Sequence, residues 1–442
     1  MNIQSTELQR TFVKDAATVP LKRLLHQLFH DYAGGLAVVL WNGDYVRLGR
    51  RLPTATMVFH NPKVLRRLIL RHDLLDLAGS YVNGEMDIEG DINALLAQRD
   101  YLQQLRLSMS DRVDLFLAAL SLHDKRHSTS EERNVRSATS AALGVRKHSR
   151  ARDRNAIAFH YDVSNDFYKL WLDEQMVYSC GYFTRPDADI HQAQRDKLNH
   201  ICKKLRLQPG EKLLDVGCGW GALICWAAQY YNVRAHGITL STQQHEVALE
   251  RIKALGLEDR VTVELRDYRD LSDKLLYDKV SSVGMFEHVG IKHLPEYFEC
   301  VRRVLKPGGL FLNHGITNDE EGWHPSVTTK FLQRYVFPDG ELEMVSNVQR
   351  VMERTGFEIW DVEALRPHYS LTLRHWLARL EANHDKAASL IGESAYRIWR
   401  LYIAVSAAQF DRATIGVYQI LAVNGRGTRS NLPLTRDDLY QH

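Results

Sequence analysis

The 442-residue sequence lacks the cysteine pattern of a disulfide-stapled or zinc-binding protein. Its five cysteines are odd in number, and none stands in a C-x-x-C pair: Cys180, Cys202, Cys218, Cys225 and Cys300. Disulfide frameworks and structural zinc sites draw on paired cysteines at short spacing. We therefore expect five reduced thiols and no metal site.

The sequence also has no uncharged apolar run that approaches the roughly 20 residues of a membrane-spanning helix. Its N-terminus lacks the basic stretch followed by an apolar stretch that secretion signals contain. A content of 45% hydrophobic and 25% charged residues is typical of a folded protein. The expectation is a cytoplasmic chain, long enough for two domains.

No strong charge excess is present, because the net charge is +3. That value argues against a nucleic-acid partner. Two stretches are nevertheless locally basic: one comprises Arg47, Arg50, Arg51, Lys63, Arg66, Arg67 and Arg71, and the other spans residues 133–154. Such stretches are either solvated surfaces or sites of attraction to an anionic membrane, worth about 1 kcal/mol per basic residue.

The pattern of helices and strands divides the chain into three parts. Residues 1–127 predict a small α+β domain with helices over 21–32, 62–77 and 92–105 and strands over 36–40 and 56–59. Four acidic residues within 79–91 do not fit a calcium loop, so a turn is expected there. Residues 128–155 read as a basic polar linker, and residues 156–442 as an α/β domain.

A glycine-rich loop gives the sharpest local signal. A short apolar strand reaches Asp215, and Gly217, Gly219 and Gly221 follow at alternate positions before a helix. Glycines let the backbone approach a ligand at the carboxyl end of a parallel strand. The spacing is not G-x-G-x-x-G, and no acidic residue follows about 20 positions later, which disfavours NAD.

Further strands follow in regular order, each ending in polar residues. The second leads to Thr239 and Gln244, the third (261–265) to Asp267, the fourth (277–283) to Glu287 and the fifth (305–312) to His314. Because parallel strands end at one edge of a sheet, these side chains are expected to share a site. Asp267 is placed to accept a hydrogen bond from an adenine amine.

Seven short motifs carry a family resemblance: HYDVSND (160–166), VYSCGY (177–182), LLDVGCGWG (213–221), ITLS (238–241), GMFEH (284–288), YVFPDG (335–340) and HYS (368–370). They resemble the cyclopropane-fatty-acyl-phospholipid synthase family and its relatives, the mycolic acid cyclopropane synthases. The resemblance implies a Rossmann-like class I S-adenosylmethionine (SAM) methyltransferase domain, preceded by a small α+β domain that contacts lipid.

The same resemblance implies two sets of site residues. SAM would be surrounded by Tyr178, Ser179, Gly217, Gly219, Thr239, Gln244, Tyr268 and Arg269, to which we add Asp215, Cys218 and Asp267 from their places in these motifs. Catalysis would fall to Glu287, His314, Tyr369 and Cys180, which with Ile316 would bind a bicarbonate ion. The implied reaction converts cis double bonds of phospholipid acyl chains into cyclopropane rings.

The chemistry explains why such a set would be needed. An isolated alkene is a weak nucleophile, so the methyl donor must be held against it in a dry pocket. The resulting carbocation must lose a proton without being trapped by water. Aromatic faces such as Tyr182 and Phe337 are candidates for stabilising the cation.

Simpler roles remain open at this stage. Cys180 is not proposed as a nucleophile and can be a buried small residue; His314 and Tyr369 can be core residues; Glu287 can be a helix-start carboxylate. Some family members have a cysteine where Ser406 stands, which we interpret as a packing position. The apolar segments 398–410 and 413–423 suit either an acyl tunnel or ordinary core helices.

Several functions remain alternatives. The same fold and cofactor can give methyl- or methylene-branched lipids, or a methyltransferase for another small molecule; a lipid-binding protein without catalysis is a third possibility. For the main hypothesis we expect a peripheral position on the inner face of the membrane, a phospholipid substrate and a homo-oligomer, as a dimer.

Overall fold

The computed structural model describes residues 18–98, 101, 108–122, 164–321, 326–337, 340–425 and 432–440. The chain forms two compact units, Met1–Ala138 and Thr139–His442. The basic linker at 128–155 and the domain boundaries beside it lie outside the described residues. The three-part division at those boundaries therefore stays a prediction.

The N-terminal unit is a small α+β fold. Its sheet has the order β2-β1-β3-β4, with β1 parallel to β3 and the other neighbours antiparallel. The strands are β1 (Gly35–Val39), β2 (Tyr45–Gly49), β3 (Ala55–Phe59) and β4 (Met86–Gly90). The helices are α1 (Thr18–Leu28), α2 (Pro62–Arg71), α3 (Leu74–Val82), α4 (Ile92–Ala97) and α5 (Met109–Ser121).

Two expectations for this unit are wrong in detail. The single helix expected over 62–77 is broken, because His72 adopts a left-handed φ of 52° and Asp73 caps α3 by accepting the N–H groups of Leu75 and Asp76. The turn expected over 79–91 contains β4, which pairs along its length with β3. Pairing with a neighbour thus outweighs the low strand preference of acidic residues there.

The second unit is built on a seven-stranded sheet within the described residues, in the order β10-β11-β9-β8-β5-β6-β7. The strands are β5 (Lys212–Val216), β6 (Arg234–Thr239), β7 (Val261–Leu265), β8 (Tyr277–Val283), β9 (Leu305–Asn318), β10 (Phe357–Ala364) and β11 (Ile415–Asn424). Strands β5 to β9 run parallel, and β11 runs antiparallel to β9 and β10. This arrangement confirms the predicted Rossmann-like fold.

Helices cover both faces of the sheet. They are α6 (Asn165–Trp171), α7 (Ile190–Lys204), α8 (Ala222–Tyr231), α9 (Thr242–Ala254), α10 (Leu294–Val304), α11 (Val327–Tyr335), α12 (Val345–Arg354), α13 (Arg366–Ala382), α14 (His384–Ile391), α15 (Glu393–Asp411) and α16 (Asp437–Tyr440). Helices α7, α8 and α9 form a core with one face of the sheet, and α10 and α12 with the other. The parallel strands are consequently buried on both sides.

The sequence suggests either an acyl-tunnel wall or a core helix for segment 413–423, but most of this segment is a strand. β11 lies between β9 and β10, with Ile415 opposite Asn318 and Val423 opposite Leu310. Its branched and aromatic residues suit a central strand. Among the described residues, no helix combines the length and the apolar character needed to cross a membrane.

Candidate active site

A cleft lies at the carboxyl ends of β5, β6 and β8, bordered by the glycine loop. We call it the glycine-loop cleft. Gly217, Gly219 and Gly221 all have positive φ, at 83°, 54° and 82°. The N–H groups of Gly217 and Cys218 both donate to the carbonyl of Ile238, each at 3.0 Å, which fixes the loop to β6. The loop thus forms a cradle of backbone that lines the cleft.

Nine of the eleven residues predicted to bind SAM line this cleft: Tyr178, Ser179, Asp215, Gly217, Cys218, Gly219, Thr239, Gln244 and Tyr268. Asp267 and Arg269 do not. Their side chains form an ion pair with an N···O distance of 2.7 Å, and the Arg269 guanidinium lies 5.3 Å from the centre of the Tyr268 ring. Arg266, which was not predicted, lines the cleft, and the SAM contacts of Asp267 and Arg269 stay predictions.

The polar side of the cleft combines hydroxyl and amide groups with one buried carboxyl group. Thr239 Oγ1 donates to Gln244 Oε1 at 2.7 Å, and Ser241 caps α9 by accepting the N–H of Gln244. Asp215 is buried and accepts a 2.7 Å hydrogen bond from the Ser281 hydroxyl; burial raises its pKa to about 6. Hydroxyl, amide and aromatic groups around an open glycine cradle fit a nucleoside such as the adenosine of SAM.

Several residues at the cleft were not anticipated from sequence, among them Lys197, Trp220, Met285 and His288. Lys197 had a detectable signal. It lies four residues after Ala193 and four before Ile201 on α7, so the helical period places it on the buried face. A lysine on an apolar helix face is unusual, and this one is only 2% exposed.

A second pocket adjoins the cleft, and we call it the inner pocket. It shares Tyr178, Ser179, Gly284 and His288 with the cleft and holds about 1000 Å³ of empty space, counting its opening to solvent. Its wall includes all five residues predicted to hold bicarbonate: Cys180, Glu287, His314, Ile316 and Tyr369. Cys180 lies before α7, Glu287 in a short 3-10 helix after β8, His314 and Ile316 on β9 and Tyr369 on α13, so the fold brings distant parts of the chain together here.

Glu287 and His314 each present one unsatisfied polar atom. Glu287 Oε1 accepts the N–H of Ile316 at 2.7 Å, whereas Oε2 is buried without a hydrogen bond to another described residue. The Gln419 amide lies 3.2 Å from His314 Nδ1, and His314 Nε2 is buried without a described partner. Burial raises the pKa of Glu287 to about 7 and lowers that of His314 to about 3.

These pKa shifts set the chemistry of the pair. His314 is neutral at physiological pH, and a Gln419 amide that donates to Nδ1 leaves the ring proton on Nε2. Glu287 titrates near neutrality. The inner pocket therefore offers one hydrogen-bond donor and one acceptor of adjustable charge, which matches the needs of a small oxyanion carrying one proton.

Replacing Glu287 with glutamine should make the protein relatively more stable at high pH. Because the pKa of the folded carboxyl is about 7 against 4.5 normally, the native state binds more protons between those values, and wild-type stability falls as pH rises through them. The E287Q variant lacks this loss, amounting to roughly 1–3 kcal/mol. Its melting temperature relative to wild type should rise from about pH 5 to about pH 8; an offset independent of pH contradicts the burial argument.

Cys180 lies on the wall as a protonated thiol. Its sulfur contacts the carbonyl oxygens of Gly181 at 3.3 Å and Leu365 at 3.8 Å, and burial raises its pKa. A thiol in this state is a weak nucleophile, as the sequence interpretation assumed.

Aromatic rings form much of the inner pocket, although Tyr182 is not among them. Tyr182 is stacked between His200 and His368, with ring centres 4.1 and 5.1 Å away, so its expected role beside a cation is wrong. The rings that line the pocket are Tyr178, Phe337, Tyr369, Tyr402 and Phe410. The hydroxyls of Tyr178 and Tyr402 are 3.1 Å apart and join the walls of cleft and pocket.

Helix α15 presents one face to the inner pocket through Tyr402, Ser406, Gln409 and Phe410. The spacing of these residues follows the helical period. Segment 398–410, expected as either an acyl-tunnel wall or a core helix, is a helix that lines the inner pocket with one face and packs inside the unit with its other side chains. Its role in an acyl tunnel stays a prediction. Ser406 is nearly buried and sits on the pocket wall between Tyr402 and Phe410.

Comparison with known proteins identifies the family. The model of the mycolic acid cyclopropane synthetase family matches residues 148–420. The chain belongs to this family. It is 40% identical over 410 residues to a probable fatty acid methyltransferase of Pseudomonas putida, covering 92% of this chain and 96% of that one. It is 38% identical over 278 residues to the cyclopropane-fatty-acyl-phospholipid synthase of Escherichia coli, covering 63% and 69%.

Solved structures agree with this membership. The cyclopropane synthase MmaA2 from Mycobacterium tuberculosis is 30% identical, with a TM-score of 0.58 over 61% of this chain and 98% of that one. The mycolic acid cyclopropane synthase CmaA1, complexed with SAH and CTAB, is 33% identical, with the same TM-score and coverage. This protein is therefore a SAM-dependent C-methyltransferase, as predicted.

Proposed function

We propose that this protein transfers the methyl group of SAM to the cis double bond of an unsaturated phospholipid acyl chain and closes a cyclopropane ring. One observation carries the proposal. An aromatic pocket adjoins the glycine-loop cleft and contains a buried carboxylate oxygen and a buried imidazole nitrogen without described partners. The aromatic walls suit an apolar substrate, and the buried polar atoms suit a bound proton acceptor.

The shared wall between cleft and pocket is where methyl transfer would occur. SAM supplies an electrophilic methyl group when bound. Tyr178 lies on both walls and packs against Trp171 and Trp376, with ring centres 5.4 and 5.2 Å away. These rings exclude water and fix the wall in one position. An alkene held on the far side would meet the methyl group in a dry environment.

The pocket is suited to a carbocation on the lipid. Phe337 and Tyr402 pack edge to face with ring centres 5.7 Å apart, and the faces of such rings attract positive charge. The thiol of Cys180 is protonated and so does not trap the cation. The remaining requirement is removal of one proton from the new methyl group.

Glu287, His314, Tyr369 and the backbone of Cys180 would hold a bicarbonate ion, which supplies a mild base. Glu287 Oε2 would accept the proton of the ion, and His314 Nε2 would donate to one of its oxygens. Both atoms are buried without described partners. Ile316 supports the site by donating its N–H to Glu287 Oε1, so its part is to orient the carboxylate.

A branched product is the second candidate, and the comparisons favour considering it. Two relatives that span at least 90% of this chain are named a probable fatty acid methyltransferase and the tuberculostearic acid methyltransferase UfaA1 of Mycobacterium tuberculosis. A hydride shift before proton loss would leave a methylene branch in place of a ring. The same base can serve either outcome, so the pocket walls that position the cation decide between them.

The deciding experiment incubates the purified full-length protein with vesicles of cis-monounsaturated phospholipid and SAM labelled with ¹³C in the methyl group. NMR of the released fatty acids distinguishes ring carbons from branch carbons. Label in a ring supports the main proposal, and label in a branch supports the second candidate. Absence of label from every lipid overturns both.

We further propose that the N-terminal unit contacts the membrane through α5. Five apolar side chains of this helix are at least 40% exposed: Met109, Val113, Phe116, Leu117 and Leu120. They recur at the helical period and form one stripe. Exposed Arg112 lies on the same helix, and α2, which packs against α5, carries Lys63, Arg66 and Arg71. An apolar stripe with basic neighbours suits the surface of an anionic bilayer.

Placing glutamates at Phe116 and Leu117 should weaken vesicle binding. Each glutamate removes an exposed apolar side chain that would insert into the bilayer and adds repulsion from anionic headgroups, so flotation with anionic vesicles should fall at least about tenfold. The control places glutamates at Leu249 and Leu255, which are similarly exposed in the other unit. Equal flotation of the α5 variant and wild type would contradict this surface.

A further inference from the structure

Lys197 is a buried cation with little to neutralise it. Its side chain lines the glycine-loop cleft, and Nζ donates to Ser179 Oγ at 2.9 Å. That is one hydrogen bond for a group with three donors. Among the described residues, no carboxylate oxygen lies within 4.0 Å of Nζ. An isolated buried charge of this kind is strongly unfavourable unless a ligand completes its surroundings.

The next buried lysine on α7 shows how the fold neutralises such a charge internally. Lys204 lies seven residues further along the same face and is 1% exposed. Its Nζ pairs with Asp361 at 3.0 Å and with Glu363 at 2.6 Å. Strand β10 therefore provides two carboxylates for the ammonium group of Lys204, and no described carboxylate contacts that of Lys197. The difference between them is that Lys197 faces the cleft.

The carboxylates nearest to Lys197 have other partners. Asp173 accepts the N–H groups of Gln175 and Val177 at 2.9 and 2.8 Å, and Asp215 accepts the Ser281 hydroxyl. Both act on Lys197 only at longer range, and burial lowers the pKa of Lys197 to about 8. The amine is still mostly protonated at neutral pH. A charged donor therefore points into a cleft that accommodates SAM.

We propose that Lys197 Nζ binds the α-carboxylate of the methionyl part of SAM, with the Ser179 hydroxyl beside it. SAM combines a nucleoside with an amino acid, and its carboxylate is the only anionic group. The hydroxyls, amides and aromatic rings of the cleft recognise the nucleoside without charge. Arg266 also lines the cleft but pairs with Glu264 at 2.7 Å, so Lys197 supplies the complementary charge for the carboxylate. The inference rests on the use of SAM and is independent of the lipid acceptor.

Calorimetry of the full-length protein with two ligands tests this role. S-adenosylhomocysteine has the carboxylate, whereas 5′-methylthioadenosine has the same nucleoside and sulfur without the amino acid. The K197M variant should bind S-adenosylhomocysteine at least about tenfold more weakly and bind 5′-methylthioadenosine within about twofold of wild type. Lys203→Met serves as the control, because Lys203 lies on α7 outside the cleft and should leave both affinities unchanged.

Two further measurements separate binding from folding. K197R keeps the charge and should restore part of the lost affinity for S-adenosylhomocysteine. On the unmodified protein, the carboxamide of S-adenosylhomocysteine should bind at least about tenfold more weakly than the acid, which tests the charge pair without any substitution. Equal affinity for acid and amide overturns the proposal. So does an equal loss of both ligands in K197M, since that marks a structural lysine.

These outcomes are distinct from failure of the proposed function. Binding of S-adenosylhomocysteine through Lys197 with no labelled lipid would overturn the lipid proposal and leave this one standing. If K197M forms the labelled ring as efficiently as wild type at limiting SAM, the Lys197 proposal is overturned and the lipid proposal stands.

Discussion

The E287Q variant should form labelled product at least about a hundredfold more slowly than wild type, while its affinity for S-adenosylhomocysteine stays within about twofold. Glu287 Oε2 is buried in the inner pocket with no described partner, and the residue does not line the glycine-loop cleft. The amide keeps the size of the side chain and can still accept from Ile316. It cannot accept the proton of a bound bicarbonate in the same way.

The dependence on bicarbonate gives this prediction a second readout. In buffer freed of carbon dioxide, the wild-type rate should rise when bicarbonate is added, and the E287Q rate should respond far less. Rate and ion dependence together distinguish a residue that holds the base from one that only shapes the pocket. The measurement is labelled fatty acid per unit time across a bicarbonate series.

Glu343→Gln is the matched control for E287Q. Glu343 has the same 7% exposure as Glu287, and its carboxylate is satisfied by the N–H of Met344 and the amide of Asn347. It does not line the inner pocket. E343Q should therefore retain the wild-type rate and bicarbonate response. A full rate in E287Q, or equal losses in the two variants, would remove Glu287 from the catalytic set.

The sequence predicted the parts of the site that are encoded locally. The glycine loop and Glu287 each follow a strand, and parallel strands bring their ends to one edge regardless of what lies between. The fifth strand does not end at 312 as expected but continues to Asn318, so His314 lies within β9, opposite Val283 at the end of β8. Asp267 and Arg269 show the limit of this argument. They stand at the expected edge, but their side chains pair with each other and do not line the cleft, so their contact with SAM stays a prediction.

The parts that escaped prediction depend on distant contacts. Tyr402 contacts Tyr178, which is 224 positions away in the sequence, so no local pattern predicts that Tyr402 belongs to the site. β11 is a strand because it fills the space between β9 and β10, whereas its apolar run alone also suits a helix. For Lys197, the sequence shows only that a lysine lies on the apolar face of a helix. Its proposed role in binding a ligand follows from the cleft beside it, which the sequence does not reveal.

The Gly219→Leu variant should lose affinity for S-adenosylhomocysteine by at least about fiftyfold. Gly219 has a φ of 54°, and a Cβ built there meets no heavy atom within 4 Å. Because the residue lines the glycine-loop cleft, a side chain at this position would extend into the volume that the cofactor needs. Methyl transfer should fall with the affinity. Calorimetry with S-adenosylhomocysteine measures the loss directly.

The left-handed backbone also strains any leucine, by roughly 1–2 kcal/mol, and the control must carry the same strain. Gly256 provides it, with a φ of 63° and no heavy atom within 4 Å of a built Cβ, on the exposed turn that follows α9. Gly219→Leu and Gly256→Leu should therefore lower the melting temperature by similar amounts, but only the former should lose the ligand. Ligand affinity retained in Gly219→Leu, or lost equally in both variants, would mean that strain and not cofactor contact explains the glycine.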